Sequence, residues 1–117
     1  SLVRRVLAAL SFDSAQLTPA YGVRSGQAAA RQMLFSAGDN DLDLRVQPSG
    51  DAWVVSGQLL GECTGGRVEL AGTDLETAAD LNEFCEFTLP AVPSGIYTLR
   101  LRLNDLEVEI PELQLMA

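Results

Sequence analysis

The run LRLRLNDLEVEI, from Leu99 to Ile110, constrains this chain more than any other stretch. Apolar and charged residues alternate on both sides of Asn104-Asp105, and a period of two places alternate side chains on one face of a strand. Folding the run back at Asn104-Asp105 sets Leu103 against Leu106, Arg102 against Glu107 and Arg100 against Glu109. Leu101 and Val108 then share the core face. The two opposite-charge pairs lie on the wet face, each contributing about 0.2–1 kcal/mol. An antiparallel hairpin is the expected element. Its turn lacks the favoured glycine, so a loop slightly longer than two residues is expected.

The same period runs through most of the chain. Leu42, Leu44 and Val46 face one way while Asp41, Asp43 and Arg45 face the other. PSGD makes a turn into AWVVSGQLLG, which is apolar on both faces around Trp53, Val54 and Val55, as a central strand should be. ECTGG leads into RVELAG, with Val68 and Leu70 inward. Phe87 and Leu89 share a face, as do Tyr97, Leu99, Leu101 and Leu103. Phe84 is out of phase with Phe87, which places a bulge or turn near Cys85. Pro90 and Pro93 remove donors where pairing must stop. TDLETAADLN is polar and is read as a loop with at most a helical turn.

The first third is less regular. VRRVLAALSFDS fits a short helix or an alternating strand with Val6, Ala8, Leu10 and Phe12 on one face. AQLTPAYGVRSGQAAA, broken by Pro19, Gly22 and Gly26, reads as a loop or arm. RQMLFSA reads as a strand ended by GDN. The expected fold is all-β: an antiparallel β-sandwich of about seven strands over residues 31–117. Residues 1–30 are expected as an N-terminal extension, either an arm or an extra edge element. Trp53, Phe84, Phe87 and Tyr97 are the expected large core residues.

Charge and residue absences narrow the function classes. A net charge of −8 and a pI near 4.3 oppose nucleic acid and anionic membranes as partners. No stretch approaches the roughly 20 apolar residues of a helical span. LVRRVLAAL resembles the front of a signal peptide, but it is too short and leads straight into SFDS. A cytoplasmic location is therefore expected, with periplasm or secretion as the alternative. The chain opens mid-pattern and without Met, as a processed product or a domain of a longer protein would.

With no histidine, the usual general base near neutral pH is missing. With no lysine, Schiff-base chemistry and Lys–Asn isopeptide crosslinks are excluded. Ser56 and Ser94 lie outside any G-x-S-x-G elbow. A non-enzymatic module without cofactor is expected.

Three constellations remain. GDNDLD offers Asp39, Asp41 and Asp43 as a calcium candidate, since calcium takes six to eight oxygen ligands. The run lacks the glycine and the distant glutamate of an EF-hand loop, so a solvated turn is expected. Cys63 and Cys85 are a redox or disulfide candidate. Neighbouring glutamates raise a thiol's pKa and argue against nucleophilic catalysis. Two reduced thiols are expected, and one disulfide is the alternative. Arg4, Arg5, Arg24 and Arg31 form a basic group suited to an acidic partner or to the domain's own acidic surface.

From Trp53 to Ile110 the chain resembles the carboxypeptidase regulatory-like family, whose members have a transthyretin-like (prealbumin-like) sandwich. The resemblance is carried by Val55-Ser56-Gly57-Gln58-Leu59, by Val68-Glu69-Leu70, and by Phe87, Leu89-Pro90, Gly95, Tyr97 and Leu99. It covers about half the chain. Cys85 stands where the family carries a turn glycine. RQMLFSAGDNDLDLRV also resembles a segment of bacterial multidomain regulators that accompanies zinc-finger anti-sigma-like domains. The resemblance implies the C-terminal module of a bacterial regulatory protein, with a structural or protein-binding role. Its partners would be another protein or other domains of the same chain. The alternative is a small-ligand or calcium-binding module of a secreted or periplasmic protein.

Overall fold

The computed structural model describes residues 3–14 and 30–116. Eleven strands build two packed sheets: β1 (Arg4–Leu7), β2 (Ala9–Asp13), β3 (Arg31–Ala37), β4 (Asn40–Ser49), β5 (Ala52–Leu60), β6 (Arg67–Ala71), β7 (Glu76–Asp80), β8 (Glu86–Thr88), β9 (Val92–Pro93), β10 (Gly95–Arg102) and β11 (Leu106–Leu115). Sheet A runs β1-β11-β10-β6-β7 and sheet B runs β2-β3-β4-β5-β8, with β9 also paired to β5. The architecture is an all-β sandwich with more strands than the expected seven. The surplus comes from β1, β2, β7 and the two-residue β9, all of them short or at sheet margins.

Alternation places the core. Met33, Phe35, Leu42, Leu44, Val46, Trp53, Val55 and Phe87 project from sheet B, and Val68, Leu70, Tyr97, Leu99, Leu101, Val108 and Ile110 from sheet A. All are buried in one cluster. Burying a side chain of this size contributes about 1.5–3 kcal/mol. The polar ends of the aromatics are also satisfied. Trp53 Nε1 donates to Ser94 Oγ at 2.9 Å, and Tyr97 OH donates to the Pro93 carbonyl at 2.7 Å.

The β10–β11 register is the one expected from the charges, with Arg102 opposite Glu107, Leu101 opposite Val108 and Arg100 opposite Glu109. Past Ile110 the ladder slips between Tyr97 and Leu99. Glu112 there has φ 57°, and the preceding Pro111 has no N–H to donate. The β3–β4 and β4–β5 turns are two-residue loops, Gly38-Asp39 and Gly50-Asp51. Gly38 and Gly50 have φ 63° and 61°, as a type II′ turn demands of its first position.

Three sequence expectations are corrected. TDLETAADLN is no loop, because residues 76–80 form an edge strand antiparallel to β6. Phe84 is not a core residue and stands 63% exposed. Cys85 after it takes φ 58°, and this left-handed residue turns the chain so that Phe84 points out while Phe87 points in. Phe12 does not share the face of Val6, Ala8 and Leu10. Val6 lies opposite buried Val108, Ala8 packs on the core and Leu10 lies opposite buried Phe35, whereas Phe12 lies opposite Leu34 on the outer side. β1 lies parallel to β11, Ala8 N–H donates to the Glu109 carbonyl, and the next residues become β2, antiparallel to β3. The phase is kept across this change of sheet and is lost at the bulge between Leu10 and Phe12. Residues 15–29, read as loop or arm and holding Arg24, lie outside the described residues.

Candidate functional site

Two seams join the sheets, one along each flank. At the first, residues 4–13 serve as the edge of both sheets. Arg5 pairs with Glu107 and Leu7 with Glu109, so these side chains lie on the outer face of sheet A. Phe12 pairs with Leu34, which pairs in turn with Asp43 on the outer face of sheet B. Leu7 is 67% exposed, Leu10 44% and Phe12 36%. Among the described residues no further strand covers the outer edges of β1 and β2.

The seam is anchored by Asp13 and Arg31. Arg31 Nε donates to Asp13 Oδ1 at 2.9 Å, and a second guanidinium nitrogen donates to Oδ2. The carboxylate is buried, and this hydrogen bond raises the Arg31 pKa above its ordinary value. Arg31 therefore closes the β2–β3 ladder. Arg4 and Arg5 lie apart from it, with Arg5 3.5 Å from Glu107.

The second seam joins β7 to β8 through residues 81–85. Asn82 organises it. Its Oδ1 accepts from the N–H groups of Phe84 and Glu86, both at 2.9 Å, and its carbonyl accepts from Cys85 N–H. Cys85 is buried and bonded to Cys63 of the β5–β6 loop, with the Cα atoms 6.4 Å apart. The expectation of two reduced thiols is thus corrected. The β5–β6 loop and the β7–β8 turn approach each other because both leave adjacent strands at the same end, a proximity no sequence spacing encodes.

Beside this turn is a basin of about 570 Å³, lined by Asp43, Asp80, Asn82, Glu86 and Arg45 among others. A second basin, of about 810 Å³, lies at the end of the sandwich between Arg4, Asp39, Glu62, Cys63 and Asp105. The three aspartates of the calcium candidate are therefore distributed. Asp39 borders the end basin and Asp43 the lateral one, while Asp41 pairs with Leu60 and Ser36 on the strand face. Among the described residues no group of three or more His, Cys, Asp or Glu is gathered around a common point. Ser56 is a β5 residue paired to Thr88, and Ser94 accepts the Trp53 bond.

The outer face of sheet A is a ladder of alternating charge. Arg102 Nε donates to Glu69 Oε1 at 2.6 Å, a hydrogen bond that raises the Arg102 pKa. Arg100 lies 3.7 Å from Glu107 and 3.4 Å from Glu109. This face is internally compensated, whereas the two seams carry the exposed Leu7, Leu10, Phe12 and Phe84.

No protein-family model, curated protein or solved structure matches this chain.

Proposed function

We propose that this domain is a non-enzymatic structural and protein-interaction module of a larger bacterial protein, with its contact surface along the β1–β2 seam. The observation that carries this is the exposure of Leu7 and Phe12 on edge strands whose outer backbone has no strand partner among the described residues. Apolar side chains beside an unpaired edge are what strand addition uses: main-chain bonds give affinity and alternate side chains give specificity.

The disulfide supports a place in an oxidising compartment, such as the periplasm or the cell exterior, in preference to the cytoplasm. The transthyretin-like assignment is part of the same proposal. It is supported by Val55–Leu59 on β5, Val68–Leu70 on β6, Phe87 on β8 and Tyr97–Leu99 on β10, all at the sites expected of strands. It is supported also by the left-handed backbone of Cys85, where that family carries its turn glycine.

The test is capture of partners from an extract of the source organism on the immobilised domain, wild type against a Leu7→Glu/Phe12→Glu variant. A partner held by the wild type and lost from an equally stable variant is the expected result. Identical capture by both would remove the seam as the contact surface.

A further inference from the structure

The flank opposite the β1–β2 seam exposes the edge strand β7. Leu81 N–H donates to the Gly66 carbonyl at 2.9 Å and Gly72 N–H to the Leu75 carbonyl at 2.7 Å. Hydrogen-bonding direction alternates along an antiparallel ladder, so Thr77 and Ala79 also turn their backbone groups toward β6. The N–H and C=O groups of Glu76, Ala78 and Asp80 therefore point outward. No strand pairs with them among the described residues.

The side chains set the character of that edge. Glu76, Ala78 and Asp80 stand on the outer face, opposite Ala71, Glu69 and Arg67. Thr77 and Ala79 stand on the core side and are only half-buried. Charged side chains (lysine above all), prolines, bulges and very short strands are the usual guards of such an edge. Here the centre is small and smooth, and acids mark both ends.

Charge decides what fits. In a two-fold antiparallel pairing with a second copy, centred on Ala78, Glu76 would lie opposite Asp80 of the other copy at both ends, an arrangement that destabilises the pair. Asp80 also borders the basin whose charged lining is Asp43, Glu86 and one arginine, Arg45, so that acids outnumber bases there. The complement is a basic strand.

We propose that β7 is a docking edge for an extended segment of a protein partner with Arg or Lys at two positions four residues apart and apolar residues between them. The basic residues lie opposite Glu76 and Asp80. The apolar residues opposite Thr77 and Ala79 cover the half-buried core flank, and the backbone bonds to Glu76, Ala78 and Asp80. This surface is separate from the β1–β2 seam and stands or falls without it.

The probe is a capped heptapeptide, Ser-Arg-Val-Thr-Val-Arg-Ser, added to the oxidised protein at low salt. Saturable binding with amide shifts centred on residues 76, 78 and 80 is expected. A peptide with Glu in place of both Arg should bind roughly tenfold more weakly or worse. Ala78→Pro removes only an outward N–H, which an edge strand tolerates, and should abolish binding without lowering the melting temperature. A probe N-methylated on the amides facing β7 makes the same test without altering the protein. Equal binding of the two peptides, undiminished binding by the proline variant and the N-methylated probe, or no saturable binding at all would each overturn the proposal. So would self-association through β7. Leu7→Glu/Phe12→Glu should leave peptide binding unchanged.

Discussion

Gly57 faces Phe87 across the β5–β8 pair, and the ring occupies the space where a side chain on residue 57 would begin. A Cβ there would stand 3.0 Å from two ring carbons and 2.5 Å from the Asp43 carbonyl oxygen. Backbone cannot yield as the end of a flexible side chain would. Gly57→Ala should therefore destabilise the domain by about 1–3 kcal/mol, the cost of overpacking a tight core. Denaturant melts of the two proteins measure it, and an unchanged midpoint would show that β5 and β8 can separate freely.

The Cys63–Cys85 bridge closes a loop of sequence separation 22. Loop-closure entropy alone puts its contribution at about 3 kcal/mol, so Cys63→Ala/Cys85→Ala should lower stability by that order. Residue 85 carries a second effect, since its φ of 58° suits glycine. Cys63→Ala/Cys85→Gly should recover about 1 kcal/mol relative to the double alanine variant. Chemical denaturation of the three proteins distinguishes the crosslink from the turn.

Arg31 and Arg100 both pair with carboxylates, and their substitutions should differ. Asp13 is buried beneath Arg31, so Arg31→Met leaves that carboxylate without its guanidinium and should destabilise by about 3 kcal/mol. Glu109 is part-exposed beside Arg100, and Arg100→Met should cost below about 1 kcal/mol. Equal losses would contradict the assignment of the Asp13–Arg31 pair as the anchor of the first seam.

Tyr97 supplies a pH dependence. Burial raises its phenol pKa above the ordinary value, so the folded state holds the proton more tightly than the unfolded chain. The resulting stability is complete below the unfolded value of about 10 and is lost as pH rises through the folded one. Denaturation midpoints should fall above pH 10 more steeply in the wild type than in Tyr97→Phe. Parallel curves would assign the alkaline loss to other groups.

What the sequence discloses follows from what each element is selected for. β4, β5, β10 and β11 bury one full face, so Leu42–Val46 and Leu99–Val108 must alternate. In the last hairpin, complementary charges name the partners as well. β7 is Glu-Thr-Ala-Ala-Asp, with no large apolar or aromatic side chain, because an edge strand has little core to fill. β1 and β2 are obscured by a different cause: the partner changes from β11 to β3 at Ala8, and the bulge after Leu10 reverses the phase that a single face would keep. Phe84 misled through Cys85, whose left-handed backbone no residue-type preference announces. The seams were the least legible part. Being an edge is a property of strand order, and strand order is set by long-range pairing.

The parallel pairing of β1 with β11 has a mechanical consequence. Arg4 lies level with Leu106, while β11 runs on to Leu115, roughly 30 Å away at the strand's rise per residue. Tension applied between Arg4 and Leu115 therefore slides the two strands lengthwise past each other. It cannot peel their hydrogen bonds open one after another, so those bonds share the load. A domain joined to neighbours through these strands would act as a stiff link in a chain under stress.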